Sequence, residues 1–274
     1  MSTDSSSGRP FKFSSEAPVP PKAPGKKQGG INWSPVAAVV FVIAVYFIAQ
    51  VVASLLISIY ALERHFSQAA ARDWVNNSIW AQFFYVLIAE GLTLGAIYLF
   101  LKWRGVSWRA IGWRRPKWSD PGWGLAVLPA YYVLYVVLVV VVHALVPSLN
   151  VDQAQQIGFN NISGFGPLLV AFISLVILPP FTEEVLVRGY LYTSLRKGMP
   201  QMAAVLVTSV IFASAHLQAG SGAPLLWIAF LDTFVLSLFL IFLREKTDGL
   251  WASMTLHGSK NLIAFLTLFI FHLH

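Results

Sequence analysis

The chain has 274 residues, of which 57% are hydrophobic and only 11% charged, a balance that excludes an ordinary soluble domain and implies a polytopic membrane protein. Its formal charge of +7 does not point to nucleic acid, because Lys and Arg gather at the ends of long apolar runs and not along a groove for phosphates. Cysteine is absent, which removes disulfides, thiol catalysis and thiolate metal sites.

Residues 1–32 are rich in Ser, Pro, Gly and Lys and read as a disordered tail. The run Pro35 to Tyr60 follows a basic stretch as a secretory signal would, but its length favours a retained transmembrane helix. Further runs are Ile79 to Leu101, Gly122 to Val146, Gly166 to Pro180, Pro200 to Leu217, Ala223 to Leu243 and Leu250 to Leu273. The expected fold is therefore an all-α membrane bundle of about seven transmembrane helices, or eight if Phe181 to Lys197 is separate. Pro179-Pro180 argues for a kink or break there, since neither ring leaves a backbone donor. Residues 33–121 form a unit of two helices and a basic loop, and residues 122–274 the second unit.

Placing the N-terminus in the cytoplasm puts most basic residues inside, including the six between Lys102 and Lys117, and leaves Arg64 and Arg72 outside. Within that loop Trp108 to Pro116 is basic and aromatic, and reads as a solvated, headgroup-binding linker at the inner interface. Asn76-Asn77-Ser78 and Asn161-Ile162-Ser163 match the glycosylation pattern, which is too short to carry an argument. No GxxxxGK[ST] or GxGxxG occurs, so nucleotide-driven transport has no support.

Polar residues inside the apolar runs are few: Glu90, His143, Glu183, Glu184, Arg188, His216, Asp232, His257, Lys260 and Asn261. Each costs at least a few kcal/mol in hydrocarbon and is a functional candidate by default. On a helix Glu184 and Arg188 stack on one face and can pair, while Glu183 lies about 100° round and is left free. The same spacing puts Phe212 beneath His216, and Asn261 on the face of His257. Any one of these has a structural explanation as interhelical hydrogen bonding, but two carboxylates, two histidines and an asparagine exceed what such bonding needs. H-E-x-x-H and Gly-x-Ser-Gly are missing, Gly220-Ser221-Gly222 being the nearest approach to the latter, and Ser194-Leu195-Arg196-Lys197 lacks the companions of an S-x-x-K site.

Glu183-Glu184-x-x-x-Arg188, Phe212-x-x-x-His216 and His257-x-x-x-Asn261, in that order, resemble the three signature motifs of the CAAX protease and bacteriocin-processing (CPBP, or Abi) family. These are intramembrane proteases and include the type II CAAX prenyl endopeptidases. The lead-in Thr247 to Met254 and the loop Gly112 to Pro116 are similar too. The resemblance covers about Gly122 to Leu273. It departs at Ala229 to Phe234, where bulky residues and Asp232 stand in place of the usual small ones.

The resemblance implies an endopeptidase acting on a membrane protein or lipidated peptide within the lipid bilayer, with no nucleic acid partner. The expected location is the cell membrane of a bacterium. Among the catalytic set, Glu183 would serve as general base toward a water held by His216, Glu184 and Arg188 would hold the geometry, and His257 and Asn261 would donate to the oxyanion. A zinc version using Glu183, His216 and His257 stays open beside a metal-free one. So do a silent scaffold or bacteriocin-immunity protein of the same fold, and an ion-coupled transporter with Glu90, Asp232 and Lys260 as relay groups. One difficulty is depth: counted from the hydropathy edges, His216 lies roughly 24 Å and His257 roughly 12 Å from the inner ends of their helices.

Overall fold

The computed structural model describes residues 30–153, 159, 162, 164–218 and 224–272. All but the last three residues of the expected tail 1–32 lie outside this set, as do Asn161, Ser163 and Gly220-Ser221-Gly222. The described residues form helices α1 (Pro35–Glu63), α2 (Gln68–Asn77), α3 (Ile79–Arg104), α4 (Ser119–Leu145), α5 (Phe165–Gly198), α6 (Gln201–Ser214), α7 (Trp227–Thr247) and α8 (Trp251–Phe265). No strand occurs among them. The fold is thus a polytopic helical bundle. Each of the seven apolar runs carries a helix, and five of these (α1, α3, α4, α5 and α7) are long and apolar enough to cross a membrane.

Local chemistry sets the ends. Ser34, Ser67 and Ser78 each accept from the backbone N–H three residues on, so Ser78 of the first glycosylation-like triplet is a helix cap. Gly105 closes α3 with φ 65°, in the left-handed region that favours glycine. Short, amphipathic α2 was not among the expected elements; its Trp74 packs on Tyr60 and Phe66, joining it to the end of α1.

Large apolar side chains such as Ile97, Leu101 and Leu240 fill the core, but α1 and α4 pack and present surface in a way suited to lipid. The buried stripe of α1 is mostly alanine (Ala38, Ala49, Ala53, Ala61) and lies against α3, as small residues at membrane helix interfaces do. Conversely, Val133, Val137, Val140 and Leu145 of α4 are exposed, a surface suited to lipid. Gly124 lets α4 approach α8 closely, since a Cβ there would stand 2.7 Å from that of Thr255.

The centre of the bundle is α5, whose residues Glu184–Tyr192 are all buried. Of the kink or break expected at Pro179-Pro180, the break does not occur: helix continues through it, after a π-helical turn at Ile173–Ile177. The wide turn absorbs the prolines, which start a fresh α-helical segment at positions that need no N–H. Leu175 pays most for this, because Pro179 and Pro180 occupy both positions from which an α- or π-type bond to its carbonyl would come.

One end of the bundle gathers the basic residues. Arg104 bonds Asn32 at the start of α1, Lys197 lies beside Gly30, and Arg114 reaches the Thr247 carbonyl at the end of α7. The basic-aromatic loop is not a solvated linker as expected. Trp108–Ile111 is a 3₁₀ turn with Ile111 fully buried, Trp251 Nε1 donates to the Arg114 carbonyl, and Arg114 pairs with Asp120 at 2.5 Å. That hydrogen-bonded carboxylate raises the Arg114 pKa above its ordinary value. Gly112, at φ 88°, has the Arg244 guanidinium where a Cβ would stand.

Candidate active site

The three motifs meet on α5, α6 and α8. Glu184 Oε1 accepts from Arg188 Nη1 at 2.9 Å, the pair foreseen from the spacing of four, and also from His257 Nδ1 at 3.1 Å. Glu184 and Arg188 are completely buried, and the guanidinium lies 4.1 Å from the Phe212 ring centroid. A buried carboxylate with two cationic or donating neighbours is held firmly and has little freedom for other work. Its neighbour differs. Glu183 keeps 27% of its side chain exposed and its Oε2 lies 3.7 Å from His257 Nε2, although the Oε2 atoms of both carboxylates are buried with no hydrogen-bond partner among the described residues.

Phe212 links the two histidines, its ring centroid lying 5.0 Å from that of His216 and 5.9 Å from that of His257. His216 stands just past the end of α6, and its Nδ1 is 2.9 Å from the Phe212 carbonyl oxygen. A carbonyl only accepts, so Nδ1 carries the proton and Nε2 is left as an acceptor. The difficulty over depth resolves because the helices start at different levels. A Cβ on Gly189 would meet the Ile111 carbonyl oxygen at 3.2 Å and a Leu250 methyl at 3.3 Å, so α8 begins beside Gly189. Helix α6 begins only after Gly198, nine residues or roughly 13 Å further along α5.

Asn261 is placed differently from the expectation. Its Nδ2 donates to the Leu175 carbonyl at 2.9 Å, supplying the bond that the two prolines cannot. The residue thus ties α8 to the π turn of α5 beside the site. It has a second amide hydrogen with which to act as a donor.

The sequence marks Glu90, on α3, as an intramembrane acid and gives it a place only in the transporter alternative. Glu90 approaches the Thr182 side chain and lies within electrostatic range of Glu183. The sequence signal was its isolation in an apolar helix; what placed it beside the motifs is the contact of α3 with α5. Asp232 and Lys260 pair with each other at 2.9 Å, and the Tyr131 hydroxyl donates to Asp232. His143 is near the end of α4, outside the motif cluster.

For zinc, the ligands considered were Glu183, His216 and His257. Among the described residues no three His, Asp or Glu side chains converge on one metal-sized point. The Nδ1 atoms of both histidines are engaged, with the Phe212 carbonyl and with Glu184, so only their Nε2 atoms could face an ion. The arrangement as found does not make a three-ligand set, and no step below is routed through an ion.

Five helices long and apolar enough to cross a membrane and a buried polar cluster shared by α5, α6 and α8 define the class: a membrane-embedded helical protein with ionisable groups gathered inside its bundle. Comparison with known proteins agrees. Residues 165–263, from the start of α5 to near the end of α8, match the profile of the Rce1-like family, described as type II CAAX prenyl endopeptidase Rce1-like. The matched segment is about a third of the chain and contains all three motifs, so the resemblance read from them is supported independently. The match supports a general likeness to CAAX-type intramembrane proteases. No curated protein and no solved structure matches the chain.

Proposed function

We propose that the protein is an intramembrane endopeptidase that hydrolyses a peptide bond in a membrane-associated protein or lipidated peptide, with Glu183 as its general base. The observation that carries this reading is the contrast between adjacent carboxylates: Glu184 is fully buried with its Oε1 shared by Arg188 and His257, while Glu183 is partly exposed and meets His257 Nε2 only at 3.7 Å.

In this reading Glu183 takes a proton from a water whose other hydrogen is accepted by His216 Nε2. The hydroxide attacks the carbonyl carbon. His257, its Nδ1–H held by Glu184, donates from Nε2 in its protonated form to the oxyanion, and Glu184 balances the imidazolium charge. Glu183 then returns the proton to the amine nitrogen, the C–N bond breaks, and a carboxylic acid and an amine leave. Arg188 fixes Glu184, and Asn261 fixes the α5 turn against α8 with its remaining amide hydrogen available as a second donor. The N-terminus is cytoplasmic in this account, supported by the basic residues gathered at one end of the bundle, and the bacterial cell membrane is the expected site of action.

The test is cleavage of a quenched fluorescent peptide library by purified protein in proteoliposomes. Glu183→Gln is expected to lower the rate by about 10²–10⁴ with an unchanged thermal midpoint. Equal cleavage by variant and wild type would remove the base from Glu183, and none by either would favour the scaffold. Chelator followed by gel filtration is expected to leave wild-type activity intact; loss restored by zinc would transfer the same residues to the metal version.

A further inference from the structure

Two cavities have Trp108 and Trp113 in common in their walls. One, of about 520 Å³, is lined by Leu94, Gly95 and Tyr98 of α3 and by Phe181 and Val185 of α5. The other, of about 480 Å³, is lined by Ser107, Arg109, Arg114 and Arg115 of the loop and by Trp251. Both volumes fall within the roughly 300–1,000 Å³ of small-molecule sites. The first offers hydrocarbon and aromatic rings, and the second offers guanidinium groups. Lys102 extends over the Tyr98 ring, 5.7 Å from its centroid, and adds a cation at the border of the apolar cavity.

The charges of the second cavity are not neutralised from within. Arg114 is committed to Asp120 and to the Thr247 and Arg115 carbonyls, which makes it a framework residue. Arg109 and Arg115 are exposed, and among the described residues neither side chain meets a carboxylate. The loop that carries them is fixed by Trp251, by Gly112 against Arg244 and by buried Ile111, so the two free guanidiniums are presented on a rigid support.

We propose that this composite groove binds one anionic phospholipid, with an acyl chain between α3 and α5 and its phosphate at Arg109 and Arg115. Charge complementarity selects the head, and the apolar wall selects the chain. The occupant lies away from the base, since Glu183 projects about 200° round the helix from Phe181, whereas Phe181 and Val185, four apart, share a face. A resident lipid fits that position better than a substrate presenting its scissile bond. Through Phe181 and Val185 the lipid buttresses the α5 segment that carries Glu183 and Glu184, and so acts as a structural ligand. The proposal does not depend on whether the protein cleaves peptides.

Native mass spectrometry of protein released from nanodiscs of phosphatidylcholine with or without phosphatidylglycerol tests it, with the thermal midpoint as a folding control. Wild type is expected to retain one phosphatidylglycerol and no phosphatidylcholine. Arg109→Gln with Arg115→Gln should weaken that retention roughly 10- to 30-fold, at about a kcal/mol per charge near an anionic surface. Gly95→Leu should abolish it by filling the apolar cavity, because a Cβ at Gly95 meets nothing within 4 Å and its side chain enters open space without a backbone clash. Equal retention of both lipids, or retention unchanged in these folded variants, would show an annular layer only and overturn the proposal. So would displacement of the lipid by a farnesylated peptide that then occupies the groove more tightly.

Discussion

Helix α8 contributes to two ionic clusters about one turn apart, and they are finished in different ways. At Lys260 each charge meets its opposite: Lys260 pairs with Asp232, and Asp232 also takes the Tyr131 hydroxyl from α4. At His257 the pairing is uneven: Glu184 Oε1 takes both Arg188 and His257 Nδ1, Glu183 meets His257 Nε2 only at 3.7 Å, and buried atoms of Glu183, Glu184 and Arg188 have no hydrogen-bond partner among the described residues. Closed clusters hold helices together. A cluster whose charges are unevenly shared retains a group able to act on a ligand, and that difference separates a candidate base from interhelical glue.

Breaking the inner cluster should have the largest effect on the fold. Arg188→Leu strands buried Glu184 beside His257 and is expected to cost about 3–5 kcal/mol, read as a lower unfolding midpoint in detergent; a midpoint within error of wild type would mean the pair is not structural. Asn261→Leu should cost less, about 1–3 kcal/mol, because it leaves the Leu175 carbonyl unsatisfied at a turn where the prolines offer no substitute. Cleavage should fall with it, since that turn leads into Glu183. Asp232→Asn should be mildest: stability falls by about 1 kcal/mol and cleavage stays within about one order of magnitude. Total loss of cleavage in folded Asp232→Asn would merge the two clusters into one site and erase the contrast.

The sequence made the seven helices legible through length and hydropathy, and the Glu184–Arg188 pair through a spacing of four. It also predicted a shared location for Glu183, His216 and His257. Three features were not legible, each for a physical reason. Continuity through Pro179-Pro180 depends on a π turn, whose wider hydrogen-bond register leaves no mark in local propensity. The recessed start of α8 is set by Gly189 admitting Ile111 and Leu250, a contact between three distant segments. Glu90 joins the site only through packing of α3 on α5, and lies well outside the segment that resembles known proteases.

The central claim is that Glu183 is a working base and that Glu184, one residue on, is a structural one. Comparing protein termini in membranes of cells carrying wild type or Glu183→Ala, with both proteins at equal abundance, tests it most directly. The account predicts a set of new termini in membrane-associated proteins that is present with wild type and missing with the variant. Identical termini in both would contradict it.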